Sequence, residues 1–562
     1  MNTNPLLKPI HTDSRTQVFL RPTRIVAMGG DIDNAELLLR EKPEQLLMND
    51  VVEVCTMRNH GSEHAWILLD LGAEIHGRVR IMTHMCEPKW MRAQIRLGES
   101  VSEAMTPVDF AGNEANHALR DYEIAVRYFT CIDSNESGFR FVRFELLGDN
   151  AALQLRSIDG ILIVRDLEYI GSFESSDPLL NEIYRTCAYT THLNCQEYIW
   201  DGIQRDRMVW SGDMHPEVIT YCTVFGEGDV IPKSLDFNRD TYSLDKATRY
   251  HWMNGIPAYS MWWIMCHYDY FMQNGDMAYL REQKAYLCRL LGMLCDCIGP
   301  DGAEILPDRR LLDWPTQADA DATHAGLHGL LSLTLQAGAY LADLLGDTDT
   351  AARCLESAEK MKKHRPATAF KQAEALLVLG GIEDAVTADR EVIAKGGAHG
   401  YSTFFSYYIL AARAIAGKTA EALDDLREYY GAMLRLGATT FWEDFSLDWV
   451  ESAGGFENIA RIDEPVTDGK VDIHGDFGAY CYVGLRHSLC HGWSSGPAAF
   501  LARYILGVKI LEPGCRKLEI KPNLCGLEYV KGTYPTPRGT VRIYADKNGV
   551  KIDAPDGIEI VR

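Results

Sequence analysis

What most constrains this chain is a change of hydrophobic period, made twice. Up to about residue 165, short runs alternate apolar and polar side chains between turn residues, as in GRVRIMT from Gly77, AQIRLGE from Ala93 and FRFVRFELLG from Phe139. That is the period-2 pattern of half-buried strands. From about Ser176 apolar residues recur three and four apart over ten or more positions, in LLNEIYRTCAYTTHL, LLSLTLQAGAYLADLLG, YSTFFSYYILAARAIAG and EALDDLREYYGAMLRLG. That is helical spacing. After Gly507 the alternation returns in KLEIKPNL, GTVRIYAD and VKIDAPDGIEI. At 562 residues the chain is too long for one core. We therefore expect an N-terminal β-sandwich over 1–170, a helical domain over 171–507 and a small C-terminal β-sandwich domain over 508–562.

About a dozen helical segments fall between residues 176 and 507. Six α-hairpins closing into an (α/α)6 barrel need that number, and an open solenoid gives a similar one-dimensional pattern. The loops favour the toroid, because they concentrate aromatics and carboxylates where solenoid loops are short and plain.

Charge and composition narrow the partners. The net charge of −23 and pI near 5.2 argue against nucleic acid or an anionic membrane, which need a basic footprint. No apolar run is long enough to span a bilayer. The opening MNTNPLLKPIHTDSRTQ has neither the basic segment nor the apolar core of a secretory signal. The 15 cysteines are odd in number and scattered, so they are expected to be mostly reduced thiols of a cytoplasmic protein. Homo-oligomerisation stays open.

Two catalytic look-alikes fail. GWSSG at Gly492–Gly496 matches a nucleophile elbow with Ser494 as nucleophile, but no histidine follows His491, as that fold's chain order requires. AGKTA around Lys418 contains G-K-T, yet the first glycine of a P-loop would fall at Ala412, so Gly417 reads as a helix-ending residue. The 17 histidines show neither H-E-x-x-H nor zinc spacing with cysteine, so no metal and no cofactor are expected.

The densest chemistry is YIWDGIQRDRMVWSGDMHPEV, Tyr198 to Val218, which holds Asp201, Arg205, Asp206, Arg207, Trp210, Asp213, His215 and Glu217. Interleaved tryptophans and glycines fit poorly with a solvated helix face. Sugars present apolar C–H faces and hydroxyls, so their sites pair aromatic platforms with carboxylates and arginines. Later loops supply more: Trp262 and Trp263, Trp314, Trp442 with Glu443, and His491 with Trp493, each at or near a predicted helix end. Glycoside hydrolysis needs one carboxylic acid and one carboxylate, and Asp206 and Glu443 are the pair expected to supply them. Arg205 and Arg207 flank Asp206 and favour its ionised form, so burial or Asp201 and Asp213 must counter them.

These motifs resemble the bacterial α-L-rhamnosidases of glycoside hydrolase family 78, in the six-hairpin glycosidase superfamily. The resemblance rests on the Asp-x-x-x-Arg-Asp-x-x-x-Trp-x-Gly-Asp run from Asp201 to Asp213, the GATTFWE loop ending at Glu443, HGWSSGP from His491, and GSFESSDPLLNEIY before the first of these. It implies an (α/α)6 barrel between β-sandwich domains and an inverting, cofactor-free hydrolysis of terminal α-L-rhamnosides. Asp206 takes the general-acid place and Glu443 the general-base place. Asp201, Arg205 and Asp213 would hold rhamnose hydroxyls, with Trp210, Trp262, Trp263, Trp314, Trp442 and His491 around the sugar. Many members carry a glutamate in a run like Arg-Asp-Glu-Arg, where this chain reads Arg205-Asp206-Arg207. Either the loop sits closer to the substrate or the acid is elsewhere, Glu217 being the nearest spare carboxylate. With one recognisable sandwich in front, small rhamnosides suit the chain better than long polysaccharides. Another six-hairpin carbohydrate hydrolase or phosphorylase, or a noncatalytic sugar-binding protein, would share the same pocket logic.

Overall fold

A computed structural model describes residues 13–41, 53–110, 112–114, 118–242, 252–307, 309–455 and 470–562. The first alternating region folds into one antiparallel hydrogen-bonded network of ten strands. Its spine is the 22-residue strand Trp66–Glu87, paired on one side with Ala152–Arg165 and on the other with Ser137–Leu147. The spine bends where its register with Ser137–Leu147 slips between Asp70 and Ile75, at Gly72 with φ +88°. A bulge there lets one long strand serve two directions of sheet. Inward residues such as Ile67, Leu69, Val79, Ile81, Val142 and Phe144 form a core separate from that of the helices.

The helical region separates into two kinds of helix by burial. In Met214–Val224 every residue is buried, and Pro257–Asn274, Lys371–Leu379 and Ser406–Ile415 are buried nearly all round. In Thr348–Met361 the buried residues are Ala351, Cys354, Ala358 and Met361, a single stripe. A helix buried on every side must be enclosed by others, whereas a one-stripe helix belongs at the surface. The contacts agree. Met214–Val224 packs on Pro257–Asn274, which packs on Ala320–Leu344, then Lys371–Leu379, then Ser406–Ile415, then the helix beginning Pro497–Phe500, which returns to Met214–Val224. Six helices thus touch in cyclic order, and the striped helices alternate with them along the chain. The described segments entering these six helices, among them 195–213, 297–307, 309–319, 436–455 and 470–496, carry most of the expected site residues.

The chain does not pass straight from the first sheet to the helices. Ser172–Ser175, within the stretch expected to open the helical domain, pairs antiparallel with Tyr529–Thr536 and so edges a four-stranded sheet completed by Gly539–Asp546 and Gly549–Asp553. A second sheet joins Val508–Glu512, Lys517–Ile520 and Glu559–Val561. Both C-terminal sheets share one hydrophobic cluster with the helices. At Gly417 the backbone turns left-handed at φ +78°, and the Lys418 N–H bonds back to Arg413 O, which ends Ser406–Ile415 as expected.

Candidate active site

The loop between Pro178–Asn194 and Met214–Val224 is pinned across its width by Asp201. The Asp201 N–H donates to Met208 O at 3.1 Å, and the Asp201 carboxylate accepts the Met208 N–H at 2.8 Å. Inside that clamp Asp206 and Arg207 both take left-handed φ, 56° and 52°, and the Arg207 N–H closes on Arg205 O at 2.8 Å. Side chains in that region cost roughly 1–2 kcal/mol each. The strained turn lifts Asp206 out of the loop to 24% side-chain exposure, while Asp201, Arg205 and Asp213 stay buried. Trp210 Nε1 donates to Asp206 Oδ2 at 3.3 Å.

The second half comes from the 436–496 loop. Glu443 Oε1 lies 3.3 Å from Arg205 Nη2, and Arg205 Nε lies 3.8 Å from Asp206 Oδ1, so one guanidinium stands between the two carboxylates. That guanidinium also donates to Arg486 O at 3.0 Å and lies 4.9 Å over the Tyr482 ring. The Ser488 N–H holds Glu443 Oε2 at 3.2 Å. His491 bridges both halves, with Nδ1 3.8 Å from Glu443 Oε1 and Nε2 3.2 Å from Asp213 Oδ2. Asp213 Oδ1 accepts the Tyr259 hydroxyl at 3.0 Å. The Gly492 N–H donates to Asp201 O at 2.7 Å and joins loops nearly three hundred residues apart.

Burial dominates the electrostatics. It pushes the Asp201 carboxyl well above the ordinary range, and the Asp213 and Asp206 charges push the same way. Burial opposes the Arg205 charge, yet Glu443, Tyr482 and Asp206 hold its pKa above the usual arginine value. Asp201 thus favours its protonated form within the cluster.

Asp201, Arg205, Asp206, Trp210, Asp213, Glu443 and His491 therefore meet in one place. Trp314 reaches it through its neighbours: its ring is stacked 6.3 Å from Tyr480 and set edge-on to Tyr482 at 5.7 Å. Trp262 and Trp263 do not reach it. Their helix starts at Pro257, so both lie beyond its first turn in the core rather than at the helix end, each at 0% exposure. Trp262 stacks on His215, and Trp263 donates its N–H to Leu235 O at 3.0 Å. Trp442 follows the same rule at 1% exposure, packed edge-on to Phe445 and His487, although its neighbour Glu443 is at the centre. Glu217 lies below the floor: it is 0% exposed, and a Cβ on Gly492 would fall 2.0 Å from its carboxyl carbon. Ser494 is buried and donates to His491 O at 2.6 Å. Tyr259, Tyr482 and Ser488 were not legible, because the aperiodic GAYCYVGLRHS segment and the first turn of Pro257–Asn274 carry no motif that marks them.

Helices closed in cyclic contact, with carboxylates, an arginine and aromatics gathered at their loop end, form a ring with a mouth of the chemistry that suits a carbohydrate. Residues 168–375 match the family model described as bacterial alpha-L-rhamnosidase 6 hairpin glycosidase domain, which bears out the resemblance read from the motifs. The match takes in Asp201–Asp213 and Trp314 and stops short of Glu443 and His491. Among solved structures, the GH78 family rhamnosidase of Bacillus sp. GL1 superposes with a TM-score of 0.73 at 22% identity, over 93% of this chain and 55% of that one. The rhamnosidase from Klebsiella oxytoca with rhamnose bound gives 0.65 at 19% identity, over 88% and 96%. The Streptomyces avermitilis α-L-rhamnosidase complexed with L-rhamnose gives 0.69 at 16%, over 88% and 48%. The chain thus spans about half the length of two of these and nearly all of the third, and at such identities the likeness is one of fold. None of the curated proteins matches it.

Proposed function

We propose that the protein is an α-L-rhamnosidase that hydrolyses terminal α-L-rhamnosides of small glycosides or oligosaccharides with inversion. Asp206 is the general acid and Glu443 the general base. The observation that carries this reading is Arg205, whose one guanidinium lies 3.8 Å from Asp206 through Nε and 3.3 Å from Glu443 through Nη2. Both carboxylates thus face one cation, and an inverting pair would stand about 6.5 to 9.5 Å apart to admit the attacking water. Asp206, on the strained and partly exposed turn, gives its proton to the departing glycosidic oxygen. Glu443, held by the Ser488 N–H, takes a proton from water as the water attacks the anomeric carbon from the opposite face. Asp201, Asp213 and His491 bind sugar hydroxyls, with Trp210 and Trp314 as walls. The cyclic helix contacts support an (α/α)6 barrel over about 171–507, flanked by β-sandwich domains over 1–170 and 508–562. No described helix is long and apolar enough to cross a membrane. Free buried thiols such as Cys187, Cys195, Cys222 and Cys266 support a reducing, cytoplasmic setting.

The test is hydrolysis of a p-nitrophenyl glycoside panel with the sugar product followed by NMR. Turnover of the α-L-rhamnoside with β-rhamnose formed first is expected. Asp206→Asn should lose about 10²- to 10⁴-fold on a poor leaving group and much less on nitrophenol, which needs little protonation. α-Rhamnose as the first product, or equal losses on both leaving groups, would overturn the mechanism.

A further inference from the structure

The first sheet domain buries carboxylates where it meets the helices, which is costly unless they hold something. After strand Trp90–Gly98 the chain runs Glu99-Ser100-Val101-Ser102-Glu103, with Glu99 1% exposed and Ser100 and Glu103 at 0%. Ser100 caps the short helix Val101–Met105 by accepting the Glu103 N–H at 3.1 Å. Glu103 Oε2 returns to accept the Glu99 N–H at 2.6 Å. Reciprocal bonds of this kind fix a turn.

Three side chains of the fixed turn reach into the helical domain. Glu103 Oε2 also accepts from Gln204 Nε2 at 3.0 Å, while Arg120 Nη2 stands 3.1 Å from Oε1. Glu99 Oε2 accepts the Leu489 N–H at 3.0 Å. Ser100 Oγ lies 2.7 Å from His474 Nδ1, and His474 Nε2 lies 2.7 Å from His487 O. Two of the three anchors are one residue from a group on the proposed catalytic pair, and His474 reaches a third such position through His487. Gln204 precedes Arg205. His487 and Leu489 flank Ser488, whose N–H binds Glu443 Oε2 and whose carbonyl accepts the Glu443 N–H at 3.0 Å. His487 Nε2 accepts the Asp444 N–H at 3.0 Å. Gly138 of the same sheet presses on this arm: a Cβ there would meet Gln204 N at 2.7 Å.

We infer that the Glu99–Ser100–Glu103 turn is a positioning element for the reaction, holding the arm of Arg205 and Asp206 and the strap behind Glu443 at one fixed separation. The inference rests on the rhamnosidase reading above. A displacement of about 1 Å at reacting groups costs on the order of 10²-fold in rate, so a brace that sets the water gap acts on kcat far more than on sugar binding. Burial, reinforced by the Glu103 charge, favours the protonated form of Glu99, so an amide can take its place and still accept the Leu489 N–H.

The experiment is steady-state hydrolysis of p-nitrophenyl α-L-rhamnoside by the full chain, with rhamnose affinity measured by calorimetry and melting by circular dichroism on the same preparations. Glu99→Ala should lower kcat about 10- to 100-fold while KM and the rhamnose Kd stay within about threefold. Glu99→Gln should recover kcat to within about threefold of the parent. Parent-like kcat in Glu99→Ala overturns the inference. So does loss of kcat, sugar affinity and melting temperature together, or failure of glutamine to rescue. If Glu99→Ala does not fold, Gln204→Met removes the bond to Glu103 at similar volume. The same fall in kcat is expected of it, and parent-like kcat again overturns the inference. A parent that cleaves a different glycoside sinks the rhamnosidase reading alone, and the variants are then read on that substrate. Silence on every glycoside removes both.

Discussion

Two buried arginines of the helical region are both surrounded by carboxylates, and both are held charged, but the charge around them balances differently. Arg413 donates from Nε to Asp389 Oδ1 at 3.0 Å and from Nη1 to Asp425 Oδ2, and the Tyr401 hydroxyl completes Asp425 at 2.7 Å. Beside it the Lys371 ammonium, pushed down to about 8 by burial, donates to Gly397 O. Two cations meet two carboxylates and the charge closes. Arg205 meets Glu443 and Asp206 with Asp201 and Asp213 behind them, and there the charge does not close: burial drives the Asp201 carboxyl up and the Asp213 and Asp206 charges add to it. A cluster that only holds helices together does best balanced. One that must store a proton and accept another has to stay unbalanced.

The largest expected effect comes from breaking the unbalanced cluster. Glu443→Gln removes one negative charge from a crowded set, so the melting temperature should hold or rise. The same change removes the base, and kcat should fall by at least about 10²-fold, more if water activation limits the rate. Steady-state kinetics beside a thermal melt separates the two, and parent-like kcat would sink the role. Arg413→Met is the mirror image. It leaves Asp389 and Asp425 buried without their cation and should cost about 3–5 kcal/mol in urea unfolding, with kcat per folded molecule unchanged. If Arg413→Met were harmless and Glu443→Gln unfolded the chain, the contrast between the two sites would be wrong.

A weaker test lies between the clusters. Asp313 is 3% exposed, and burial pushes its carboxyl up to about 7 against the bonds from Ser402 and the Trp314 N–H. Asp444 is also raised to about 7, by burial and then by Asp313 and Glu443. An unfolded aspartate ionises near 3.9. Below about pH 4 both states are protonated. Between about 4 and 7 the unfolded chain loses protons that the folded chain keeps, so stability falls as pH rises through that window. Asp313→Asn should flatten that slope, by on the order of a few kcal/mol between its ends. Urea midpoints at pH 4.5, 5.5 and 6.5 read it directly, and an unaltered slope would mean that Asp313 is ionised throughout.

What the sequence made legible follows from how local each signal is. The two changes of period mark where strands give way to helices and return, because burial periodicity is a property of consecutive residues. Asp201, Arg205, Asp206 and Asp213 were legible because one short loop carries them all. Trp262 and Trp263 misled because a tryptophan looks the same in a core as on a wall, and only the helix start at Pro257 decides how deep it lies. Ser172–Ser175 was hidden because its partner is over three hundred residues away. The brace from Glu99 was hidden for the same reason: buried carboxylates on a strand end carry no periodic mark, and their purpose shows only once Leu489 and Gln204 stand beside them.

The smallest effect concerns the neutral wall of the unbalanced cluster. Trp210 is partly exposed, meets Tyr259 edge-on at 5.9 Å and touches Asp206 only through its N–H. If its ring is a platform for the sugar's C–H face, it binds ground state and transition state alike, and such an interaction sets KM rather than kcat. Trp210→Ala should then raise KM about 5- to 10-fold with kcat nearly kept, the scale of one aromatic contact. Trp262, stacked on His215 and tilted against Tyr408, gives the opposite outcome. Its replacement by alanine should cost about 3–5 kcal/mol of stability through the cavity left behind, with KM unmoved in what remains folded. Should Trp210→Ala lower kcat as much as it raises KM, the indole belongs with Asp206 in the charged half of the site rather than with the wall.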